Sequence, residues 1–300
     1  MRDRFVQLGE PLPIREKLRR AAAIPGVEGA EIIFPEECAE PSEVLEALAE
    51  TGLAPAAINV NLKGRPEFQR GALSAHDAGT RRMALDMILQ AKEFALRAGA
   101  ERVTCAPLAD GSDYPLQQDY ATAWKHAVEL LRTAITEGPQ VPLHLEHKPS
   151  DPRVRGLLSS SDVVLRLLKD IGLPGAGITF NAGHNSLDGL SPAESLAQVF
   201  EAGVPLYIHL CDSAGGWDWD VLPGSYHPWH LLEFLHELTA GGYDGWLTSD
   251  SFPIRQQALD FCAAHVDRTA HALKKSASAP LNSDGVSSWK ELEAWFIPRS

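Results

Sequence analysis

Nowhere in the 300 residues is there a run of about 18 apolar residues, so no membrane-spanning helix is expected. The opening Met1-Arg2-Asp3-Arg4 and the polar, Pro-rich stretch after it lack the apolar region of a signal peptide. Cysteine is scarce. Cys38, Cys105, Cys211 and Cys262 are scattered with no CxxC pair, and they read as reduced thiols of a cytoplasmic protein. Positive charge is also short: 27 Lys and Arg stand against 40 Asp and Glu, for a net charge of −13. A nucleic-acid partner would want a basic face to displace counterions from phosphates. The short basic clusters, at Arg15 to Arg20 and Arg81-Arg82, fall at helical spacing and read as solvated helix faces. No Gly-rich phosphate fingerprint follows any strand, which argues against a doubly wound dinucleotide-binding sheet.

What is present is an alternation of short apolar runs and amphipathic segments. Strands are expected at Phe5–Leu8, Ala30–Phe34, Ala56–Leu62, Arg102–Ala106, Val141–His147, Gly177–Asn181, Leu206–Cys211 and Gly245–Asp250. Helices are expected at Ile14–Ala23, Pro41–Glu50, Thr80–Ala98, Gln118–Ile135, Ser161–Ile171, Pro192–Ala202, Pro228–Thr239 and Arg255–Leu273. In Thr80–Ala98, Ala84, Met87, Ile88, Ala91, Phe94, Ala95 and Ala98 recur at i, i+3, i+4 and i+7 and make one apolar face. Gly99 then stops the helix. Eight strand–helix units in strict alternation predict an α/β fold with a parallel sheet, and eight strands close a (β/α)8 TIM barrel. The barrel is expected over residues 1–275. Residues 276–300 read as a Ser/Ala/Pro-rich linker and an amphipathic tail, docked on the barrel or on a neighbouring subunit of a homo-oligomer.

Chemistry in such a barrel sits at the C-terminal ends of the strands. These ends carry Glu146 and Lys148, then Asn181 and His184, then His209, with Asp218 and Asp220 in its loop, and finally Asp250. Alternation places Glu146, Asn181 and His209 on the barrel-interior parity, opposite Leu145, Phe180 and Ile208. Unpaired polar groups there would cost roughly 1–3 kcal/mol each or more. A divalent cation is an economical partner for carboxylates with one or two imidazoles, and such ligands suit manganese first, with magnesium or cobalt as alternatives. His184 lies in a Gly- and Asn-rich stretch. Trp217, Trp219 and Trp229 flank the loop after His209 and offer aromatic walls for sugar faces. His144, deeper by parity, reads as a core histidine. Asp77 reads as a helix cap.

The run Glu146-His147-Lys148-Pro149-Ser150-Asp151-Pro152-Arg153 resembles the Glu-x-Lys-Pro-x-Glu-Pro segment of the xylose isomerases and L-rhamnose isomerases. Asn181-Ala182-Gly183-His184 resembles their acidic-residue-x-x-His element. His209 with Asp218-x-Asp220 resembles their later ligand strand and its Asp-x-Asp loop, and Asp250 resembles the carboxylate that closes the site. The shorter chain and the Gly-Tyr-Asp-Gly lead-in to the last strand also resemble the ketose 3-epimerases of the same superfamily. That family usually ends this strand with Glu and lacks the Asp-x-Asp pair.

The resemblance implies a metal-dependent enzyme acting on a small-molecule sugar. It implies that Glu146, Asn181, His209 and Asp250 hold one metal, and that His184, Asp218 and Asp220 help hold a second. Lys148 would polarise a carbonyl oxygen, and His184, Trp217, Trp219 and Arg255 would contact the substrate. One departure stands out: where the family has a carboxylate, this chain has Asn181. The favoured reading is an aldose–ketose isomerase working by hydride shift. The alternative is a ketose 3-epimerase, an inosose-type dehydratase or a keto-glycoside lyase using proton transfer between Glu146 and Asp250; the catalytic groups expected are Glu146, Lys148 and Asp250. A barrel that binds sugar without chemistry is the third.

Overall fold

A computed structural model describes residues 12–151, 154–253, 257–280 and 288–296. In chain order the elements are α1 (Ile14–Ala22), β1 (Gly29–Phe34), α2 (Pro41–Thr51), β2 (Ala54–Val60), α3 (Ala78–Ala98), β3 (Val103–Cys105), β4 (Gly111–Ser112), α4 (Tyr120–Thr136) and β5 (Leu143–Glu146). They continue with β6 (Ser150–Asp151), β7 (Val154–Gly156), α5 (Ser161–Ile171), β8 (Ala176–Asn181), α6 (Ala182–Leu187), α7 (Pro192–Ala202), β9 (Leu206–Leu210), α8 (Pro228–Ala240), β10 (Leu247–Ser249), α9 (Ala258–Ser276) and α10 (Trp289–Phe296).

Seven strands pair in parallel in the order β1-β2-β3-β5-β8-β9-β10. The sheet curls into a nearly closed barrel ringed by helices. Side chains cross its interior: Nε2 of His209 on β9 lies 2.9 Å from Glu31 on β1. The expected strand Phe5–Leu8 lies outside the described residues.

Period-two alternation sets the two faces of each strand. Leu143 and Leu145 on β5, Ile178 and Phe180 on β8, and Ile208 and Leu210 on β9 turn outward and are all buried. Phe180 stacks on Phe234 of α8 at 5.6 Å. The opposite parity sends Glu31, Thr104, His144, Glu146, Asn181, Tyr207 and His209 into the barrel. The helices meet the sheet through apolar stripes such as Ala84, Ile88, Ala91 and Ala95 of α3. That helix starts where the Asp77 carboxylate accepts from the Thr80 amide at 2.6 Å, and ends at Gly99 with φ 73°.

The chain between β5 and α5 makes a detour over the barrel mouth. The hairpin β6–β7 pairs with β4 in a small antiparallel sheet. Gly111 is required there, because it has φ 144° and any Cβ would lie 1.9 Å from the Arg155 carbonyl oxygen. At the far end of the chain, Phe296 of α10 stacks on Trp229 of α8 at 3.9 Å, and the Trp295 indole donates to Ser278 at 3.2 Å. α10 thus packs against α8.

Two histidines are packed into the core. His144 has Nδ1 3.3 Å from the Ile178 carbonyl, and burial, aided by Arg102, lowers its pKa to about 4. His265 on α9 has Nδ1 3.0 Å from Ser249 Oγ and 3.3 Å from Ser251 Oγ. Burial, with Arg268 nearby, lowers it to about 4. An unfolded histidine titrates near 6.5, so below that pH the unfolded chain binds a proton that the folded one refuses. This part of the stability is complete above about pH 6.5 and declines as pH falls towards 4, by up to ~1.4 kcal/mol per pH unit for each histidine. Urea unfolding at pH 7 and pH 5 measures it. His265→Gln, which can still accept from the serines, should lose about 1–2 kcal/mol less between those two pH values than the wild type. An unchanged pH slope would show that His265 does not resist protonation.

Candidate active site

The inward side chains at the strand ends open into a cavity of about 480 Å³. Glu146, Lys148, His184, His209, Asp220 and Asp250 all line it, with Glu31, Asn59, Asn61, Lys63, Thr248 and Phe252 among the other walls. Glu146 ends β5, Asn181 ends β8, His209 lies on β9, and Asp250 follows β10 with its amide donating to the Leu210 carbonyl at 3.0 Å.

Glu146, His209 and Asp250 each offer one ligand atom, and these atoms all lie within 4.8 Å of one another. His209 Nδ1 is 3.4 Å from Glu146 Oε1 and 3.8 Å from Asp250 Oδ2. Its Nε2 is turned the other way, onto Glu31. Burial alone would raise the pKa of Glu146, but His209, His184 and the Asn181 amide hold it below the ordinary value. Asp250 is pushed up, chiefly by burial and by the Glu146 charge, against the pull of His209. Two oxygens and one imidazole nitrogen in a polar cavity suit a divalent cation of the manganese or magnesium type.

Asn181 is oriented differently from the expectation of a ligand oxygen. Its Oδ1 accepts from the backbone N–H groups of Gly183 at 3.0 Å and His184 at 3.2 Å, and from the Cys211 thiol at 3.3 Å. It caps α6, a short helix in the Gly- and Asn-rich stretch that holds His184. The amide nitrogen therefore faces the cavity and donates to Glu146 Oε1 at 2.9 Å and Asp250 Oδ2 at 2.8 Å. The two backbone donors settle which end of the amide is oxygen. Gly183 permits this close packing, since a Cβ there would lie 2.3 Å from Cys211 Sγ.

Beside this cluster, Lys148 Nζ lies 2.6 Å from Asp218 Oδ2 and 3.7 Å from Asp151. His184 donates from Nδ1 to the His147 carbonyl at 2.7 Å and sets Nε2 3.3 Å from the same Asp218 oxygen. Burial alone would raise Asp218, but His184 and Lys148 hold it far below the ordinary carboxylate value. Asp220, with φ 46°, comes together with Asp218 and the Cys211 sulfur. Burial and the surrounding carboxylates push the Cys211 thiol well up.

The expected substrate walls fall elsewhere. Trp219 is 47% exposed, and neither it nor Trp217 lines the cavity. They belong to a loop pinned through Ser213, which bonds to the Trp217 carbonyl and the Trp219 amide. Phe252 is the aromatic residue among the cavity's lining, and its amide donates to the Asp220 carbonyl at 2.8 Å. Arg255 lies outside the described residues. Sequence reasoning missed Glu31. Its one signal is an acid at inward parity in the apolar strand Ala30-Glu31-Ile32-Ile33-Phe34.

A nearly closed parallel barrel with a buried Glu–His–Asp group at the C-terminal ends of its strands defines a class of barrel enzymes with a candidate cation site. A family model described as a xylose isomerase-like TIM barrel matches residues 18–266, and the chain belongs to that family. Among solved structures, the chain is similar to the 3-keto-D-glucoside 4-epimerase of E. coli, at 17% identity and TM-score 0.71, over 90% of this chain and 97% of that one. It is also similar to the D-psicose 3-epimerase of Clostridium cellulolyticum H10, solved with D-tagatose, at 15% identity and TM-score 0.68, over 88% and 94%. A third is the D-allulose 3-epimerase of a Methylomonas species, at 13% identity and TM-score 0.72, over 87% and 92%.

Proposed function

We propose that the protein is a divalent-metal-dependent epimerase of a keto sugar, moving a proton at the carbon beside the carbonyl. The observation that carries this reading is the pair of carboxylates, Glu146 and Asp250. Both line the cavity, and the Asn181 amide joins them. Glu146, His209 and Asp250 would hold the cation, which when bound supplies positive charge to the substrate oxygens and makes the neighbouring C–H more acidic. Glu146 and Asp250 then serve as general base and acid: one takes the proton from carbon and the other returns a proton to the opposite face. His209 orients the pair. Lys148 and His184 line the wall and present positive or donor groups to the sugar oxygens. Phe252 offers a flat apolar face to the ring or chain.

Hydride shift between C1 and C2, the reading favoured from sequence, would use a second cation at His184, Asp218 and Asp220. Here the Lys148 ammonium lies 2.6 Å from Asp218, one of those three groups. That arrangement favours proton transfer with a single cation. The three similar structures named above are 3- and 4-epimerases, which supports the same choice.

A substrate screen tests the proposal. The protein with Mn2+ is incubated with ketohexoses, keto-glycosides and inososes, and products are read by proton NMR. The expected result is epimerisation beside the carbonyl, abolished by EDTA and restored by Mn2+. Conversion of the ketohexoses to aldoses, with no inversion beside the carbonyl, would favour the isomerase instead.

A further inference from the structure

Glu31 is a charged residue in the middle of a barrel, and its carboxylate is fully engaged. Oε1 accepts from Asn59 Nδ2 and from Thr104 Oγ1, each at 2.7 Å. Oε2 accepts from the Tyr207 hydroxyl and from His209 Nε2, each at 2.9 Å. The partners come from β2, β3 and β9, and Tyr207 is itself held by Thr248 Oγ1 of β10 at 2.6 Å. Burying a carboxylate is expensive, and an apolar side chain of similar volume would serve the barrel's stability as well or better.

We infer that Glu31 is a positioning residue that fixes the His209 ring, keeping a proton on Nε2 and aiming Nδ1 at the space between Glu146 and Asp250. The inference rests on the metal reading given above. The geometry is specific. A carboxylate can only accept from Nε2, so Nε2 carries hydrogen and Nδ1 is left for a cation. Nδ1 is the atom within 4 Å of both Glu146 and Asp250. A carboxylate behind a ligating imidazole also raises its basicity, and loss of such a partner weakens metal affinity by about 10- to 100-fold. Tyr207 serves as the internal control. Its hydroxyl bonds to the same Glu31 oxygen, and its ring meets the His209 ring edge-on at 5.4 Å, a contact that Tyr207→Phe keeps.

Mn2+ binding is measured from the free-ion EPR signal for the wild type, Glu31→Gln and Tyr207→Phe, alongside metal-free melting curves. Glu31→Gln should bind Mn2+ about 10- to 100-fold more weakly per folded molecule, whereas Tyr207→Phe should bind within about 3-fold of the wild type. Equal affinity in Glu31→Gln and the wild type overturns the inference and leaves the metal reading intact. A wild type that leaves all Mn2+ free overturns the metal reading, and the inference with it, and is recognised because no variant then shows any binding. Should Glu31→Gln fail to fold, long-range proton–nitrogen NMR of the wild type with Zn2+ decides the matter. Hydrogen on Nε2 and metal on Nδ1 of His209 is the expected tautomer, and the reverse overturns the proposal.

Discussion

Glu146→Gln is expected to lower turnover by at least ~10³-fold and Mn2+ affinity by at least ~10²-fold. The substitution keeps the shape and removes the charge. Glu146 is 4% exposed, and its Oε1 meets the Asn181 amide at 2.9 Å and His209 Nδ1 at 3.4 Å. Two losses are therefore combined: one of only two carboxylate ligands, and one of the two groups able to carry the proton. Removing a general acid or base alone lowers rates about 10²–10⁴-fold. Because Gln still fills the site, the metal-free melting temperature should move little. Stoichiometric metal and substantial turnover in a folded Glu146→Gln protein would place the active centre elsewhere.

Asn181→Asp should act with opposite sign on the empty and loaded protein. The amide nitrogen holds Glu146 and Asp250 together. An aspartate in its place loses both hydrogen bonds and sets a third negative charge beside two others. Without metal, the cost is about 1–3 kcal/mol, or a fall in melting temperature on the order of 5 °C. With metal the same charge becomes attractive, and affinity should rise by roughly 10-fold. Saturating Mn2+ should therefore raise the variant's melting temperature more than the wild type's, because a ligand bound only to the native state stabilises it by linkage. Calorimetry with EDTA and with Mn2+ measures both halves. An unchanged metal-free melting temperature would show that the amide does not hold the two acids.

Much of the barrel follows from local rules. Period-two apolar alternation in Leu143–Glu146, Ala176–Asn181 and Leu206–Leu210 fixes which residues face inward, and strand ends fix their height. Glu146, His209 and Asp250 are legible for that reason. Glu31 is less so, because its partners lie on β2, β3 and β9 and only barrel closure brings them to one oxygen pair. Asn181 was legible as a site residue but not in its orientation. The direction of its amide depends on α6, whose N-terminus claims the oxygen. Asn before Ala182-Gly183-His184 is itself a helix-cap signal, one that competes with the reading of the residue as a ligand. Trp217 and Trp219 lie away from the cavity lining for a similar reason, since the turn around Ser213 sets their course.

The central claim is that a proton, rather than a hydride, moves between Glu146, Asp250 and a carbon beside a carbonyl. Turnover in deuterated water tests it most directly, with the product of the best substrate from the keto-sugar screen examined by NMR and mass spectrometry. The account predicts close to one deuterium per product molecule at the inverted carbon, since a proton held by a carboxylate lining an open cavity exchanges with solvent. Inversion at the same carbon with no deuterium, in a protein that still requires metal, would contradict it.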